Sequence, residues 1–586
     1  MSHIPMGPTT EELAQRWLSQ DRDPETRAEI EGLLKSKNTH ELDQRLRKRI
    51  AFGTAGLRSS MKAGFAHMNS LTVLQASQGL ADYIKSQPHE KEGRSVVIGF
   101  DARHNSEKFA RLAAATFLEN GFRVFWFGQH VHTPMVPFAV SAYSADAGIM
   151  VTASHNPKDD NGYKVYWANG CQIIPPHDSG IARAIDSVDR ILSWETELVN
   201  SHENVKRIFS EAAKSYLDHI RELVWPLPSV TDAMPFTYTA MHGVGTKFMT
   251  QIAYMLWFRG QFMREVKEQA SPDPEFPTVS FPNPEEKGAL DLAIQEANRN
   301  NSNIILANDP DADRFSAAER IAKGQYHQFT GNQIGILLAS HVLDTSSGDR
   351  SKLAMLASTV SSRMLSSMAE KEGFHFQDTL TGFKWLGNVA QDLQRQGYDP
   401  AFAFEEAIGF MFPTVVWDKD GIAAAAVFLT AWRRWKKQGM TPYQKLQQLY
   451  KTYGYFEDAN TYLISPSPDT TNLVFEDIRT SNHGHRPETI GKRKILRWRD
   501  LTLGYDSETK DHKPVLPVDP NAQMLTCELE SVVFTARGSG TEPKIKLYIE
   551  AKAESSAAAK GEANEVLRDL LIEWFKPEYG LKLAGT

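Results

Sequence analysis

Between residues 96 and 151 short apolar runs alternate with longer amphipathic stretches, and this alternation limits the folds that the chain can adopt. The apolar runs have the length and composition of buried strands, and the stretches between them have helical periodicity. The strands are Val96–Phe100, Phe122–Phe127 and Ala147–Val151, and the helices are Lys108–Glu119 and Val136–Tyr143. Because a β-α-β-α-β order needs crossover connections, we expect a mixed, largely parallel sheet with helices on both faces.

The same alternation restarts twice further along the chain. A second cycle runs from the strand Phe236–Ala240 to the strand Asn303–Ala307, and a third begins at Gly331 and includes the strand Leu353–Ser358. After about residue 455 the segments suggest antiparallel strands and a final helix over Ser556–Phe575. The sequence thus predicts an α/β protein: three related mixed α/β domains plus a smaller C-terminal α+β domain around a central cleft. The predicted boundaries are 1–210, 211–335, 336–455 and 456–586.

Composition and charge limit the classes of partner. The 586 residues carry a formal net charge of −7, which argues against nucleic acid as the main partner because nucleic-acid binding needs a basic surface. No apolar run reaches the length of about 18 residues that a membrane span needs, and the N-terminus lacks the pattern of a signal peptide. The two cysteines, Cys171 and Cys527, lie far apart in sequence. These features predict a cytoplasmic protein in a reducing compartment, with neither nucleic acid nor a membrane as its partner.

A polar loop, Thr152-Ala-Ser-His-Asn-Pro157, follows the apolar strand that ends at Val151. Two turns are predicted here, at Asn156-Pro157 and Asn161-Gly162, before a second strand, Tyr163–Trp167. Open α/β sheets bind ligands at the carboxyl ends of their strands, so we expect Ser154 at the mouth of a sheet, beside His155. The alternative is an ordinary polar loop in which Ser154 only caps a turn.

Three aspartates alternate directly after another predicted buried strand. The carboxylates of Asp309, Asp311 and Asp313 repel each other and are costly to desolvate, and a divalent cation with oxygen ligands removes that cost. Mg²⁺ fits a site supplied by few carboxylates and a substrate phosphate. An EF-hand is disfavoured because Arg314 and Arg320 stand where that loop needs Gly and Glu. A solvated acidic turn is the weaker alternative, because an apolar strand leads directly into it.

Four other segments place polar or charged side chains beside predicted strands or glycine turns. They are Ile50–Arg58, Thr381–Lys384, Phe404–Gly409 and Arg537–Thr541. Guanidinium groups, hydroxyls and glycine-rich turns suit phosphate, and the paired carboxylates of Glu405 and Glu406 suit sugar hydroxyls. Each segment also has a plain interpretation as a turn, a solvated acidic edge or a flexible linker. For the segment ending at Arg58, taken alone, a plain glycine-rich turn is favoured over a phosphate site. For Arg537–Thr541 a flexible linker is the weaker interpretation, because predicted strands lie on both sides of the segment.

Taken together, these motifs resemble those of the α-D-phosphohexomutase superfamily, and the resemblance covers nearly the whole chain. Its phosphoserine, metal, sugar-recognition and phosphate loops occur in the same order here. The corresponding segments are Thr152–Pro157, Asp309–Arg314, Phe404–Gly409 and Arg537–Pro543. Within the superfamily, three segments of this chain are most similar to the branch of phosphopentomutase and phosphoglucomutase-2, which includes phosphoribomutase. They are Asn156–Tyr166, Glu286–Ala289 and Glu405–Gly409.

The resemblance implies an isomerase that interconverts sugar 1-phosphates and sugar 5- or 6-phosphates. The substrates would be ribose or deoxyribose 1-phosphate and glucose 1-phosphate. Phosphorylated Ser154 would donate its phosphoryl group to the sugar phosphate, and the resulting bisphosphate would reorient and return its other phosphate. Mg²⁺ held by Ser154, Asp309, Asp311 and Asp313 would be the metal. Glucose 1,6-bisphosphate or ribose 1,5-bisphosphate would be the activator.

The resemblance also assigns roles to single residues. Arg58 and Lys164 match positions that assist proton transfer and charge stabilisation, although Lys164 would need a lowered pKa to act as a base. His155 is expected to contact the phosphate, or to support a residue that does, rather than act as the base; with Ser154, Arg58 and Lys164 it completes the implied catalytic set. The implied substrate contacts are Arg314, Thr381, Lys384, Glu405, Glu406, Lys419, Arg537, Ser539, Gly540 and Thr541. Many glucose-preferring members of the superfamily have serine where this chain has Ala407.

Three other functions stay open. One is the synthesis of glucose 1,6-bisphosphate from a different phosphoryl donor, which the sequence barely separates from mutase activity. A second is a phosphatase with Asp309 as nucleophile, disfavoured because Ala312 stands where such enzymes have Thr or Val. The third is a silent sugar-phosphate-binding protein, which an intact Ser154 and three intact aspartates disfavour.

Overall fold

The computed structural model describes residues 7–53, 56–89, 92–227, 234–258, 262–538 and 543–584. The chain divides into two compact units. The first comprises Met1–Ser346 and Gly382–Thr441, and the second comprises Ser347–Thr381 and Pro442–Thr586. The four domain boundaries predicted from the sequence are finer than this division and stay a prediction.

Three helices open the described chain. They are α1 Thr10–Gln20, α2 Pro24–Lys35 and α3 Thr39–Leu46. Each begins at a side chain that accepts a hydrogen bond from an amide of the first turn, namely Thr9, Asp23 and Asn38. Trp17 is fully buried between these helices and the chain that follows, with its ring centroid 5.0 Å from that of Phe65. These three helices therefore share a small apolar core with the chain that follows.

A six-stranded mixed sheet follows. Its elements are β1 Leu57–Ser60, α4 Ser70–Ser86, β2 Ser95–Phe100, α5 Ser106–Glu119, β3 Arg123–Trp126, α6 Met135–Tyr143, β4 Ala147–Val151, β5 Asp160–Trp167, α7 His177–Asp186, α8 Leu198–Ser201, β6 Val205–Arg207 and α9 Phe209–Val224. The strand order is β1-β5-β4-β2-β3-β6. Strands β4, β2, β3 and β6 run parallel, and β5 and β1 pair antiparallel. Residues of β4 are buried throughout, as expected for a strand covered on both faces. The predicted mixed sheet is confirmed.

The turn predicted at Asn161-Gly162 is wrong, because both residues lie inside β5. The chain turns instead at residues 158–159. A Cβ atom on Gly162 would lie 2.6 Å from the carbonyl oxygen of Thr152 and 2.9 Å from that of Leu57. The glycine therefore marks a close approach of neighbouring backbones inside the sheet, rather than a turn.

Gly162→Ala is expected to lower the apparent melting temperature by about 2 °C or more, because the new methyl group must displace two backbone carbonyls. Overpacking of this kind costs about 1–3 kcal/mol. Gly32→Ala in α2 is the matched control, since nothing lies within 4 Å of its Cβ position and alanine favours a helix. Thermal scans by circular dichroism compare the variants, and an unchanged Gly162→Ala would contradict the close approach.

A second sheet has five strands. Its elements are β7 Phe236–Thr239, α10 Gly245–Met255, β8 Met263–Glu265, α11 Lys267–Ala270, α12 Asp291–Arg299, β9 Ile304–Ala307, β10 Ser316–Ala322 and β11 Gln325–Gln328. The strand order is β11-β10-β9-β7-β8, in which β9, β7 and β8 are parallel and β10 and β11 are antiparallel. The loop of the three aspartates leaves the carboxyl end of β9.

The next group of elements is divided between the two units. It consists of α13 Gly331–Thr345, β12 Leu353–Ser358, α14 Met364–Glu372, β13 His375–Thr379, α15 Phe383–Arg395, β14 Asp399–Glu405, β15 Gly409–Met411 and α16 Gly421–Lys437. Strands β12 and β13 pair in parallel in the second unit, and β14 and β15 pair antiparallel in the first. The Asp420 carboxylate accepts hydrogen bonds from the amides of Ile422 and Ala423 and so fixes the start of α16, next to Lys419.

The C-terminal part is dominated by antiparallel strands. Its elements are α17 Pro442–Tyr453, β16 Tyr455–Asp458, β17 Thr461–Ile464, α18 Pro468–Thr480, β18 Thr489–Ile490, β19 Arg493–Lys494, β20 Arg497–Asp500, β21 Tyr505–Asp506, β22 Met524–Glu528, β23 Val532–Gly538, β24 Lys544–Ala553, α19 Ser556–Glu573, a 3₁₀ helix Pro577–Tyr579 and β25 Lys582–Leu583. The larger sheet has the order β21-β20-β22-β23-β24-β17-β25, with β16 also on β24. The predicted α+β character is confirmed.

Within the described ranges, no helix combines the length and apolar character needed to cross a bilayer.

Candidate active site

Ser154 lies on the loop that leaves the carboxyl end of β4. Its φ is 55°, a left-handed conformation that costs a non-glycine residue about 1 kcal/mol or more. The Ser154 amide donates a hydrogen bond to the hydroxyl oxygen of Thr152 at 2.9 Å, which helps to hold this backbone. The Ser154 hydroxyl donates to Asp309 Oδ2 at 2.8 Å and lies 3.3 Å from His155 Nδ1. The loop therefore aims a buried hydroxyl at the predicted metal ligands.

Asp309, Asp311 and Asp313 form one buried acidic group after β9. One ligand oxygen from each lies within 4.8 Å of the others, and the three residues are fully buried. Burial and the two neighbouring carboxylates raise the pKa of Asp309 well above its usual value. Oδ1 of Asp311 and Oδ1 of Asp313 are buried without a hydrogen-bond partner. These oxygen atoms fit a divalent cation, so the group can hold a metal ion.

Two lysines neutralise part of this charge. Lys164 Nζ donates to Asp311 Oδ2 and Asp313 Oδ2, both at 2.8 Å, and Lys419 Nζ lies 2.9 Å from Asp313 Oδ2. Burial alone would lower the pKa of Lys164, but the two carboxylates outweigh burial and raise it. Lys164 is therefore held protonated in this arrangement. That state suits charge stabilisation, whereas a general base would need a lowered pKa.

The other predicted catalytic residues, Arg58 and His155, lie on or next to the serine loop, and the predicted substrate contact Arg314 lies at the end of the aspartate loop. Arg58 is exposed on β1, and its Nη1 donates to Asn156 Oδ1 at 3.2 Å. Burial, followed by the positive charges of Arg314 and Arg58, lowers the pKa of His155 well below its usual value, so this imidazole is neutral. The backbone amide of Arg314 donates to Asp309 Oδ1 at 3.0 Å. Arg58, His155 and Arg314 are thus brought to the same site.

The acidic pair predicted to recognise a sugar lies at the end of β14. Glu405 Oε1 accepts a hydrogen bond from the Gly382 amide at 2.5 Å. Burial and the neighbouring Glu406 carboxylate raise the pKa of Glu405 to about 7. The pair is half-buried and is followed by Ala407, which is also half-buried. These side chains remain accessible to a ligand.

Lys419 lies between the aspartate group and strand β15, whose Gly409 pairs with Glu405. A Cβ atom on Gly409, at the start of β15, would lie 3.1 Å from Lys419 Cδ, while the lysine's Nζ reaches Asp313. Lys384 lies in the first turn of α15, with Nζ 5.4 Å from the ring centroid of Trp385. The structure therefore supports a shared site for Lys419 and the aspartates, and it places Lys384 on an adjacent helix of the first unit.

The predicted site for the distal phosphate belongs to the second unit. Arg537 lies in strand β23 rather than in the predicted loop, because it pairs with Met524 and Lys546 across the sheet. Its Nη1 donates to Thr381 Oγ1 at 2.6 Å, so two predicted substrate contacts are adjacent. The other predicted contacts, Ser539, Gly540 and Thr541, lie outside the described residues and stay a prediction.

Two residues of the site escape sequence reasoning. Thr133 donates through Oγ1 to Asp311 Oδ2 at 2.6 Å and through its amide to the Asp311 carbonyl at 2.9 Å. Arg103 Nη2 donates to the carbonyl oxygens of Ser154 and Asn156 at 2.5 and 2.6 Å. Arg103 follows strand β2 and Thr133 follows strand β3, two parallel strands of the first sheet. Their position after the carboxyl ends of these strands is the signal that could have identified them.

Family models of phosphoglucomutase/phosphomannomutase match three consecutive stretches: α/β/α domain I over residues 49–191, domain II over 214–321 and domain III over 330–453. The chain belongs to the phosphoglucomutase/phosphomannomutase family. The resemblance to the α-D-phosphohexomutase superfamily and the three related α/β domains are thereby confirmed.

Relatives of this phosphoglucomutase/phosphomannomutase family member match along the whole chain. Phosphoribomutase of Saccharomyces cerevisiae is 46% identical and covers 96% of this chain and 96% of its own length. Phosphopentomutase of Homo sapiens is 40% identical, covering 97% and 96%. Glucose 1,6-bisphosphate synthase of Homo sapiens is also 40% identical, covering 96% and 93%. The predicted phosphopentomutase branch and the prediction of a sugar-phosphate mutase, an isomerase, are confirmed.

Solved structures in the family share the fold at much lower identity. The open form of the Paramecium phosphoglucomutase pp63/parafusin has a TM-score of 0.64 at 18% identity and covers 90% of this chain and 96% of its own. A phosphomannomutase homologue from Thermus thermophilus has a TM-score of 0.63 at 19% identity, covering 89% and 99%. These likenesses support the fold of the family and nothing about substrate.

Proposed function

We propose that this family member interconverts sugar 1-phosphates and sugar 5- or 6-phosphates through a phosphoryl group carried on Ser154. Ribose or deoxyribose 1-phosphate is the preferred substrate and glucose 1-phosphate the poorer one. The observation that carries the proposal is the Ser154 hydroxyl, held 2.8 Å from Asp309 Oδ2 in a buried group of three aspartates. Phosphoryl transfer depends mainly on positioning and charge neutralisation, and this site is built for both.

Mg²⁺ is the proposed metal, with the three aspartates and an oxygen on Ser154 as its ligands. A few carboxylates together with a phosphate are a ligand set that suits this ion. When bound, the ion supplies charge neutralisation for the phosphoryl group. Lys164 and Lys419, which contact the same carboxylates, add positive charge at this place.

The chain's own side chains are proposed to orient and stabilise the transferring group. Arg58 and the protonated Lys164 would stabilise charge that develops during transfer. His155, whose Nδ1 lies 3.3 Å from Ser154 Oγ, would contact the phosphate. None of these roles needs Lys164 to act as a base.

Substrate affinity is proposed to come mainly from the phosphate that is not being transferred, since charge-assisted hydrogen bonds are the strong ones. Arg537, Ser539, Gly540 and Thr541 would bind this phosphate. The remaining proposed substrate contacts are Arg314, Thr381, Lys384, Glu405, Glu406 and Lys419. Because the phosphate is common to pentose and hexose substrates, discrimination must come from the ring, near the acidic pair.

Synthesis of glucose 1,6-bisphosphate from another phosphoryl donor is the second candidate, because a human protein of that name is 40% identical to this chain. In a mutase, glucose 1,6-bisphosphate or ribose 1,5-bisphosphate activates the enzyme by phosphorylating Ser154. In a synthase, the bisphosphate is the released product. The proposed setting of either activity is the cytoplasm, with small sugar phosphates as partners and no nucleic acid or membrane.

Turnover of ribose 1-phosphate and glucose 1-phosphate, measured side by side with Mg²⁺ and trace bisphosphate, tests the proposal. We expect isomerisation of both sugars, with the higher kcat/KM for ribose 1-phosphate. Stoichiometric glucose 1,6-bisphosphate formed from a separate phosphoryl donor, without isomerisation of either sugar, would support the second candidate instead.

Ala407→Ser is expected to shift the preference modestly towards glucose 1-phosphate. The added hydroxyl offers one further hydrogen bond to the sugar ring, worth about 0.5–1.5 kcal/mol net. That free energy corresponds to about tenfold in kcat/KM at most. The ratio of kcat/KM for the two sugars, in the wild type and the variant, checks this. A wild-type preference for glucose 1-phosphate beyond about tenfold would show that other ring contacts decide specificity.

A further inference from the structure

The Arg103 guanidinium fills the interior of the loop that carries Ser154. Its Nη2 donates to the carbonyl oxygens of Ser154 and Asn156 at 2.5 and 2.6 Å. Its Nη1 donates to those of Pro157 and Asp160 at 2.8 and 3.4 Å. The side chain is only 1% exposed. Four carbonyl groups thus converge on one planar cation whose forked N–H donors match them.

Asp101 completes the arrangement on the opposite side. Its Oδ2 lies 3.4 Å from Arg103 Nε and accepts a hydrogen bond from the Thr152 hydroxyl at 2.6 Å. Its Oδ1 accepts one from the Ser106 hydroxyl at 2.6 Å. Because the Thr152 oxygen accepts from the Ser154 amide, both sides of the serine are held. Asp101 acts through Thr152 on the amide, and Arg103 acts directly on the carbonyl.

The Pro-rich segment between α11 and α12 covers the same arginine. The Arg103 guanidinium carbon lies 4.9 Å from the ring centroid of Phe276, which is itself buried. The neighbouring Glu275 contacts Lys158 at 2.7 Å and His104 at 2.6 Å. If its carbonyl partners moved away, a cation enclosed in this way would be left buried and unpaired at a large cost in free energy, so the cation and the loop hold each other in place.

We propose that Arg103 is a positioning residue for phosphoryl transfer. By fixing the carbonyl of Ser154 it keeps this residue in its left-handed conformation and its hydroxyl aligned with Asp309. Without these hydrogen bonds the strained backbone relaxes, and the hydroxyl moves. A displacement of a reacting group by about 1 Å costs on the order of 100-fold in rate. The inference rests on the proposed role of Ser154 as phosphoryl carrier.

Arg103→Met and Arg103→Lys test this role. Methionine keeps much of the volume of the arginine side chain and donates no hydrogen bond. Lysine keeps the positive charge but lacks the planar guanidinium with its paired N–H donors. We expect Arg103→Met to lower kcat by on the order of 100-fold, with KM for the sugar phosphate within a few-fold of the wild type, because the sugar contacts lie on other loops. Arg103→Lys is expected to recover only part of the loss. Guanidinium added to Arg103→Ala is expected to restore kcat in a saturable way.

Arg320→Met is the matched control. Arg320 also donates to a backbone carbonyl of the first unit, that of Ala297 at 3.0 Å, but on the edge hairpin of the second sheet. This variant is expected to lose stability and keep kcat. Each kcat is referred to the folded fraction measured by circular dichroism.

Wild-type kcat in folded Arg103→Met or Arg103→Lys would overturn the inference, and so would a loss of activity that matches the loss of folded protein. Mass spectrometry of the wild type separates this failure from failure of the proposed function. A wild type that turns over without phosphorylated Ser154 refutes the carrier role. A phosphorylated wild type beside a fully active Arg103→Met refutes only the positioning role.

Discussion

Ser154→Ala is expected to reduce mutase turnover by on the order of 10⁴-fold or more, since each catalytic cycle begins and ends with the phosphoryl group on this hydroxyl. A fraction of the wild-type protein should carry the added mass of one phosphoryl group, on the peptide that contains Ser154. The variant should lose that mass together with its turnover. Intact-protein mass spectrometry and an assay of isomerised sugar phosphate measure the two effects.

Ser86→Ala is the control for this experiment, because Ser86 is an exposed serine at the end of α4. It is expected to keep both the phosphoryl mass and the turnover. Substantial mutase activity in Ser154→Ala would show that another group carries the phosphoryl, and the proposed mechanism would have to be abandoned.

Removal of the metal is expected to have an effect of similar size. Thorough chelation should abolish turnover and Mg²⁺ should restore it, because three uncompensated aspartates would repel phosphorylated Ser154. Asp311→Asn should raise the Mg²⁺ concentration for half-maximal activity by about 10–100-fold or more. The variant should still fold, since it removes one of three mutually repelling carboxylates, and the asparagine oxygen can still accept from Lys164 and Thr133.

Asp291→Asn is the control for the metal experiment, because Asp291 is exposed at the start of α12. It should leave the Mg²⁺ dependence of turnover unchanged. Elemental analysis confirms that exhaustive chelation has removed the metal from the wild-type protein. Undiminished turnover of that metal-free protein would refute the aspartate site.

The elements that carry the site can be predicted because their signals are local. Strands β4 and β9 are short apolar runs that end in polar loops, and this pattern alone places Ser154 and Asp309 at strand ends. Their contact at 2.8 Å joins residues separated by 155 positions. The pattern of strands does not predict that Ser154 and Asp309 are in contact. That expectation comes from the order of the motifs, through the family resemblance.

What the sequence does not predict depends on contacts between distant segments. The pair Asn161-Gly162 is predicted to form a turn because glycine is more common in turns than inside strands. In the structure Gly162 lies inside β5, where its lack of a side chain allows neighbouring backbones to pack closely. Arg103 receives its role from four carbonyl groups about fifty residues later in the chain. The pKa of Lys164 is raised because carboxylates on the loop after β9 outweigh its burial, a balance that depends on three-dimensional placement.

A chase of phosphorylated enzyme tests the central claim most directly. Enzyme labelled on Ser154 with a radioactive bisphosphate is mixed with excess unlabelled ribose 1-phosphate in a rapid-quench instrument. The proposed mechanism predicts that the label leaves Ser154 and appears in ribose 5-phosphate at a rate at least equal to kcat. Label that stays on Ser154 while unlabelled product accumulates over many turnovers would contradict it.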